Sequence, residues 1–217
     1  MIRIYSCLLF SFIFSSNPID NFIIGFWPEY DHPGILVSIQ IESNVEQLPF
    51  DFNIDVPRNA KMAIETVINN GDRTNNILDI KSSNKDSSSY INTVINSQKY
   101  LLQYYFNPFE AESDYREMHY NLNTNVDLFN FYVVIQKHLG ALEFQTNLKE
   151  LETIEDNYSV TYFRKKIPQL LSSDSLYIEI SYKNPSNITT MDLLNQNLEK
   201  SIEKDEFKNS SLEVDGK

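Results

Sequence analysis

The chain has 217 residues, with 30 acidic against 18 basic side chains and a formal net charge of -12. A field of that sign repels phosphate backbones, so we do not expect nucleic acid as a partner. The only cysteine, Cys7, lies close to the N-terminus, and a mature chain that lacks it has no disulfide, thiolate ligand or cysteine nucleophile. With 13 Tyr, 14 Phe and only 5 Gly, the composition favours pleated sheets over helices.

Residues 1–16 have the layout of a signal peptide. Arg3 precedes an apolar run from Ile4 to Phe14, and small polar residues follow. The run has about 11 residues, whereas a helix that spans a bilayer needs about 20. We therefore expect a cleaved signal and a periplasmic, secreted or cell-surface protein without a stable transmembrane span. An uncleaved anchor and a buried N-terminal strand are the alternatives.

A polar linker is predicted for 17–21 and a β-sandwich domain for 22–186. The domain opens with an aromatic and proline-rich stretch that contains the only tryptophan of the chain, Trp27. Pro28 and Pro33 disfavour helix there and keep the preceding residues extended. Apolar residues at alternate positions then predict two half-buried strands, at 34–42 and 49–56.

Period-two alternation predicts further strands along the rest of the domain. Their predicted ranges are 61–68, 77–81, 90–95, 100–106, 115–124, 128–138, 142–146, 158–167 and 176–182. Two of them, 90–95 and 100–106, are expected to form a hairpin, and Pro168 is expected to end the strand before it. An acidic loop is predicted for 148–157. The pattern indicates an all-β fold, a single antiparallel β-sandwich that is immunoglobulin-like or related.

The segment 187–217 is predicted to form a short amphipathic helix and a disordered tail. Apolar residues recur at spacings of three and four, at Met191, Leu194, Leu198 and Ile202. Thr189 or Thr190 is the expected cap. We expect this helix to pack on its own domain or to fray, and engagement of a partner is the alternative.

No motif for a metal, a cofactor or a catalytic site is present. Asp51, Asn53 and Asp55 match the first three ligand spacings of a calcium loop, but Val56 stands where that loop needs glycine and Met62 where it needs glutamate. The sequence also lacks zinc-ligand spacings, a nucleophile elbow and a phosphate-binding glycine loop. We therefore expect no cofactor and, more than an enzyme, a noncatalytic protein. A carbohydrate-active hydrolase with two carboxylates from distant strands is left open.

Trp27, Tyr30 and His32 are the candidate ligand-binding residues. Flat rings stack on sugars and apolar groups at modest entropic cost, and the three residues lie within one short stretch. The alternation that follows favours a structural role instead, with Trp27 buried at one end of the sandwich and His32 apart from other titratable groups. An exposed Trp27 beside Tyr30 in a groove would favour ligand binding.

The stretch WPEYDHPGILV resembles the opening motif W-P-E-Y-D-x-P-x-V-L-V of a family of uncharacterised exported bacterial proteins. The resemblance continues in order through 48–49, 104–108, 126–144 and 176–183. The chain lacks the proline that the family carries in a Q-x-P step, where this sequence reads Gln136-Lys137-His138. The resemblance implies a β-sandwich on the outer side of the membrane and supplies no catalytic residues.

The expected function is that of an exported binding or interaction module for an unknown protein or small ligand at the cell envelope. A structural accessory of an envelope complex is a further alternative to the hydrolase.

Overall fold

The computed structural model describes residues 17–69, 71–82 and 88–200. The described chain forms fourteen strands, a short 3-10 helix at Val45–Gln47 and one α-helix, α1, at 190–200. The strands are β1 Ile19–Pro28, β2 Ile35–Ser43, β3 Phe50–Pro57, β4 Lys61–Asn69, β5 Asp72–Ile77, β6 Ile80–Ser82, β7 Ser88–Ile95, β8 Lys99–Phe106, β9 Tyr115–Leu122, β10 Leu128–Gln136, β11 Leu142–Thr146, β12 Glu152–Glu155, β13 Thr161–Leu170 and β14 Leu176–Lys183.

The strands form two layers. One layer is an eight-stranded sheet in the order β12-β13-β10-β1-β2-β8-β4-β5. The second layer consists of two three-stranded sheets, β11-β14-β9 and β3-β7-β6. These two sheets meet where Ile54 of β3 bridges Thr124, just beyond β9. The predicted all-β sandwich is therefore confirmed.

Aromatic side chains fill the space between the layers. The rings of Phe22 in β1 and Phe52 in β3 have centroids 6.5 Å apart. Phe26 meets Tyr120 of β9 edge to face at 5.0 Å, and the hydroxyls of Tyr104 and Tyr120 form a buried hydrogen bond of 2.7 Å. These contacts hold the eight-stranded sheet against the second layer, because aromatic pairs of this kind add to the burial of apolar area.

A first strand, β1, precedes the strand predicted at 34–42 and lies inside the eight-stranded sheet. The linker prediction for 17–21 is wrong, because β1 begins at Ile19. It lies between β10 and β2 and pairs with β10 in parallel, with Ile23 beside Tyr132. The other strand pairs of the fold are antiparallel. Since β1 is central, both of its neighbours help to position the residues that follow it.

Three local predictions also need correction. Strands β7 and β8 do not form a hairpin, because β7 pairs with β3 and β6 in the second layer, whereas β8 pairs with β2 and β4. Pro168 lies inside β13 and not at its end, at a step where the pairing with β10 skips both Pro168 and Asn130. Proline has no backbone N–H group to donate, and this is tolerated at Pro168 since no hydrogen bond of the strand ladder is required there. The predicted acidic loop 148–157 contains an exposed edge strand, β12.

The helix begins where the sequence predicted. The backbone amide of Asp192 donates to Thr189 Oγ1 at 3.2 Å, so Thr189 is the N-cap. The predicted signal peptide at 1–16 and most of the predicted tail, at 201–217, lie outside the described residues. Within the described ranges, no helix is both long and apolar enough to cross a membrane.

Candidate functional site

The solvent-facing side of the eight-stranded sheet carries an open groove of about 530 Å³, here called the outer groove. Its lining includes Trp27, Tyr30, Ser38, Gln40, Lys99 and Gln103. The groove crosses β1, β2, β8 and β4, whose inward side chains form the core. The same alternation that buries one face therefore brings the outward residues of these strands together.

Trp27 lies half-buried on this outer face and not in the core. Its ring leans back along β1 onto Gly25: a Cβ atom at Gly25 would lie 2.1 Å from Trp27 Cη2. Any side chain at Gly25 would therefore displace the indole. The expectation of a substantially buried Trp27 agrees with its degree of burial but not with its place, because the residue follows the inward-facing Phe26 and so lies on the outer face.

Tyrosines continue the aromatic surface on both sides of Trp27. Leu36 of β2 lies between Trp27 of β1 and Tyr105 of β8 in the sheet. The Tyr105 hydroxyl donates to both carboxylate oxygens of Asp31 at 3.0 Å. Partial burial and then the neighbouring Asp31 raise the pKa of Tyr105 to about 12. Tyr30 contributes to the same upward shift of the Tyr105 pKa.

Tyr162 is the corresponding residue on the β13 side. Its hydroxyl donates to Asp156 at 3.2 Å. Burial and then the Asp156 charge raise the pKa of Tyr162 to about 12, and Tyr30 again contributes. Since Tyr162 lies opposite Gln136, the β10 neighbour of Trp27, it continues the tyrosine surface on the β13 side of Trp27.

His32 is separated from the outer groove. It lies in a neighbouring concavity with Pro33, Lys61 and Met62, and its ring meets that of Tyr105 edge to face at 6.0 Å. The side chain is exposed, and its Nδ1 lies 2.7 Å from the Pro33 carbonyl oxygen. The structure thus brings Trp27 and Tyr30 together and leaves His32 at the margin. The titratable neighbours of His32 are Tyr105 and, through the Tyr105 hydroxyl, Asp31.

Two glutamine amides on the groove surface are available to a ligand. Gln40 is exposed and Gln103 half-buried, and they project from neighbouring strands. Neither amide hydrogen-bonds to another side chain or to the backbone within the part of the chain that the structure describes. Each can donate and accept hydrogen bonds at once.

A third amide, that of Gln136, is buried beside Trp27. Phe26 pairs with Ile135, so the next residues, Trp27 and Gln136, are neighbours on β1 and β10. Gln136 is 0% exposed, and neither its nitrogen nor its oxygen has a hydrogen-bond partner among the described residues. An amide in this state costs free energy in the folded protein. It is the least satisfied polar side chain near the aromatic surface.

A buried polar cluster, formed by Glu29, Arg116, Tyr182 and Asn184, fixes the end of β1. Arg116 Nε donates to Glu29 Oε1 at 3.0 Å. Tyr182 Oη and Asn184 Nδ2 donate to Glu29 Oε2 at 2.8 and 2.9 Å. All four residues are at most 5% exposed. One carboxylate thus accepts three hydrogen bonds from β9 and from the end of β14.

The same region anchors α1 and positions Tyr30. The amide of Thr190 donates to the Glu29 carbonyl, and that of Met191 donates to the Tyr30 carbonyl, each at 2.8 Å. Glu29 itself has a left-handed backbone with φ 43°. The chain therefore turns sharply between a buried Glu29 and an outward Tyr30, and the buried polar cluster holds this turn in place.

His138 packs against the buried polar cluster as a neutral ring. It stacks on Tyr182 with centroids 5.8 Å apart. Its Nδ1 accepts from the Gly140 amide at 3.1 Å, so Nδ1 is unprotonated, and Nε2 donates to the Ile188 carbonyl at 2.9 Å. Burial lowers the pKa of His138. Its role in this structure is to join the β10 end to the start of α1.

A separate polar cleft of about 340 Å³ lies on the other layer. It is lined by Asn53, Asp55, Asn123, Thr124, Asn125, Ser172, Ser173 and Asp174. Asn123 Nδ2 donates to Asp55 Oδ2 at 3.3 Å. No group of three or more His, Cys, Asp or Glu side chains within residues 17–69, 71–82 and 88–200 is arranged to hold a metal ion.

Sequence reasoning found Trp27 and Tyr30 and missed the buried polar cluster. Glu29 stood inside the motif that attracted attention, but no local pattern pairs it with Arg116, which lies 87 positions away. Comparisons with known proteins add no assignment, because no family model and no curated protein matches the chain.

Proposed function

We propose that this protein is an exported, noncatalytic β-sandwich domain that binds its ligand or partner at the cell envelope through the outer groove. The observation that carries the proposal is the position of Trp27, half-buried on the outer face and sharing an open groove with Tyr30. Aromatic rings in such a position offer contact area at low entropic cost. Export rests on the signal-peptide layout of residues 1–16.

Two features support a binding role over catalysis in this groove. Glu42 is the only carboxylate among its lining residues in the described chain, and two-carboxylate hydrolysis needs a pair. The groove is also open and spans several strands, which suits an extended ligand better than a small enclosed substrate.

Site-specific photo-crosslinking in the producing cells tests the proposal. A photoreactive residue in place of Gln40 samples the outer groove, and one in place of Val94, which is 52% exposed on the outside of the second layer, is the matched control. We expect adducts from position 40 that disappear when Trp27→Ala is added, and none from position 94. Equal adducts from both positions, or none from position 40, would contradict the proposal.

Cell fractionation and mass spectrometry test the export step. We expect the mature chain outside the cytoplasm, with a mass that corresponds to loss of about the first 16 residues. A full-length chain in the cytoplasm would contradict it.

A second candidate, a carbohydrate-active hydrolase, rests on the polar cleft, where Asp55 and Asp174 share one loop-built cavity. If this cleft is catalytic, the protein releases reducing ends from envelope polysaccharide, and Asp55→Asn abolishes the release. Unchanged release in that variant, or none from the wild type, removes this candidate.

A further inference from the structure

The outer groove has two chemically different ends. Along β8, Tyr105 belongs to the Trp27 end and Lys99 to the other. Six residues of extended strand separate them, which corresponds to about 20 Å. A ligand that contacts both ends must therefore be an extended oligomer.

The far end of the groove is positively charged. Lys99 and Arg73 lie on either side of Ile68, on the two strands that flank β4. Neither cation forms a salt bridge with any residue for which the structure gives side chains. Glu42, opposite Lys99, interacts with Asn21 at 3.5 Å. Two cations without a salt bridge, one on each strand that flanks β4, are notable in a chain with a net charge of -12.

The middle of the groove offers hydrogen bonds without charge. The free amides of Gln40 and Gln103 lie between the ends, because Gln40 pairs with Leu101 and Gln103 with Ser38. Strand backbone groups beneath them are used in the sheet ladder, so side chains must supply the recognition. Neutral donors and acceptors beside a flat ring suit a ligand whose units are rings with apolar faces and hydroxyl edges.

We propose that the outer groove binds a linear acidic oligosaccharide, with one sugar ring stacked on Trp27, hydroxyl groups at Gln40 and Gln103, and carboxylate groups at Lys99 and Arg73. This inference rests on the proposed function and names its ligand class. A nucleic acid fits less well, since the overall negative charge of the protein repels its regular phosphate backbone. A sugar acid supplies hydroxyl groups for the two glutamine amides together with the stacking face that the Trp27 end needs.

Isothermal titration calorimetry with the protein that lacks residues 1–16 tests the inference. The probes are hexamers of galacturonic, glucuronic, mannuronic and guluronic acid, with xylohexaose and cellohexaose as neutral counterparts. We expect at least one acidic hexamer to bind, more tightly than either neutral hexamer, and the affinity to fall as sodium chloride rises because salt screens the cations.

Matched variants separate the two ends of the site. Trp27→Ala is expected to weaken binding by about tenfold through lost stacking and burial, with Tyr158→Ala, a 65% exposed tyrosine away from the groove, as its control. The pair Lys99→Glu and Arg73→Glu is expected to abolish the preference for acidic sugars. Lys81→Glu on the second layer is the charge control and should leave binding unchanged.

Failure of the inference and failure of the proposed function have different signatures. If no hexamer binds while position 40 still gives Trp27-dependent crosslinks, the acidic-sugar inference is overturned and the binding function stands. If neutral hexamers bind as tightly as acidic ones, the inference is also overturned. If neither hexamers nor crosslinks are found at the groove, both proposals fall. Loss of binding in Lys81→Glu would show that the site is elsewhere.

Discussion

Replacing Glu29 by alanine should destabilise the protein more than any surface charge substitution. The Glu29 carboxylate is the shared acceptor for Arg116, Tyr182 and Asn184. Its removal leaves the Arg116 guanidinium buried at 4% exposure without its ion-pair partner. A buried charge in that state is costly, because its remaining partners, the Ser113 carbonyl and the Asn187 amide oxygen, supply no counter-charge.

The expected magnitude follows from the burial of both partners. Breaking a buried ion pair by removing one member typically costs about 3–5 kcal/mol. That is a large share of the roughly 5–15 kcal/mol that holds an ordinary domain folded. Two further donors lose their acceptor, although Asn184 Nδ2 retains a contact of 3.3 Å with the Ile188 carbonyl. We therefore expect Glu29→Ala to lower the free energy of unfolding by about 4 kcal/mol.

Equilibrium urea denaturation of the signal-free chain measures the effect. The control is Glu152→Ala, which removes the exposed pair with Arg164 and should cost less than about 1 kcal/mol. The double variant Glu29→Ala with Arg116→Met should be less destabilised than the sum of the single variants, because the orphaned charge is gone. A cost for Glu29→Ala no larger than that for Glu152→Ala, or strictly additive single variants, would refute the reasoning.

The remaining predictions concern the histidine, the glycine and the unpaired amide. Burial lowers the pKa of His138 below its unfolded value of about 6.5, so the unfolded state binds more protons than the folded state. The stability that the neutral ring contributes is therefore present above about pH 6.5 and is lost as the pH falls from there toward the folded-state pKa. Chemical denaturation between about pH 7 and 5 should show a shallower dependence of stability on pH in His138→Gln than in the wild type; equal dependences would contradict this. Gly25→Ala should displace the indole and change the emission of the only tryptophan, and a wild-type spectrum would contradict the contact. Gln136→Leu should stabilise the protein by about 1 kcal/mol, since an unpaired buried amide is replaced by an apolar group of similar size; a loss of stability on denaturation would show that this amide has a partner.

The strands could be predicted where one face of the strand is exposed to solvent and the other is buried in the core. In β2 and β3, polar residues alternate with buried ones, so period two indicates both their existence and their bounds to within a residue or so. The start of β1 was missed because Ile23 and Ile24 interrupt the alternation. A central strand with apolar residues on both faces has a weaker pattern.

Long-range arrangement could not be predicted from local pattern. A short connection between β7 and β8 indicated a hairpin, but the chain crosses from one layer to the other there, and no local signal distinguishes a turn within a sheet from a corner between sheets. The parallel pairing of β1 with β10 and the meeting of Glu29 with Arg116 have the same cause. They depend on which strands become neighbours in the folded chain.

The aromatic motif was recognised, but its parts were given the wrong positions. Trp27 was expected inside and Glu29 received no role, whereas the structure buries Glu29 and turns Trp27 outward. Alternation along β1 predicts this once Phe26 is known to face the core. A shift of one residue along β1 exchanges the inward and outward faces of the strand. It therefore decides whether Trp27 is a structural residue or a candidate for binding.

Fluorine NMR of the single tryptophan tests the central claim most directly. Growth on 5-fluorotryptophan places one reporter in the chain, at Trp27, and the envelope fraction of the producing cells is added without label. Attachment to large particles broadens the resonance wherever the protein binds, so the position of the resonance is the readout. If the outer groove is the binding surface, the single resonance shifts when the protein sediments with that fraction. A resonance that is broadened but unchanged in position, from protein that is retained on the fraction, would show that binding occurs elsewhere and would contradict the account.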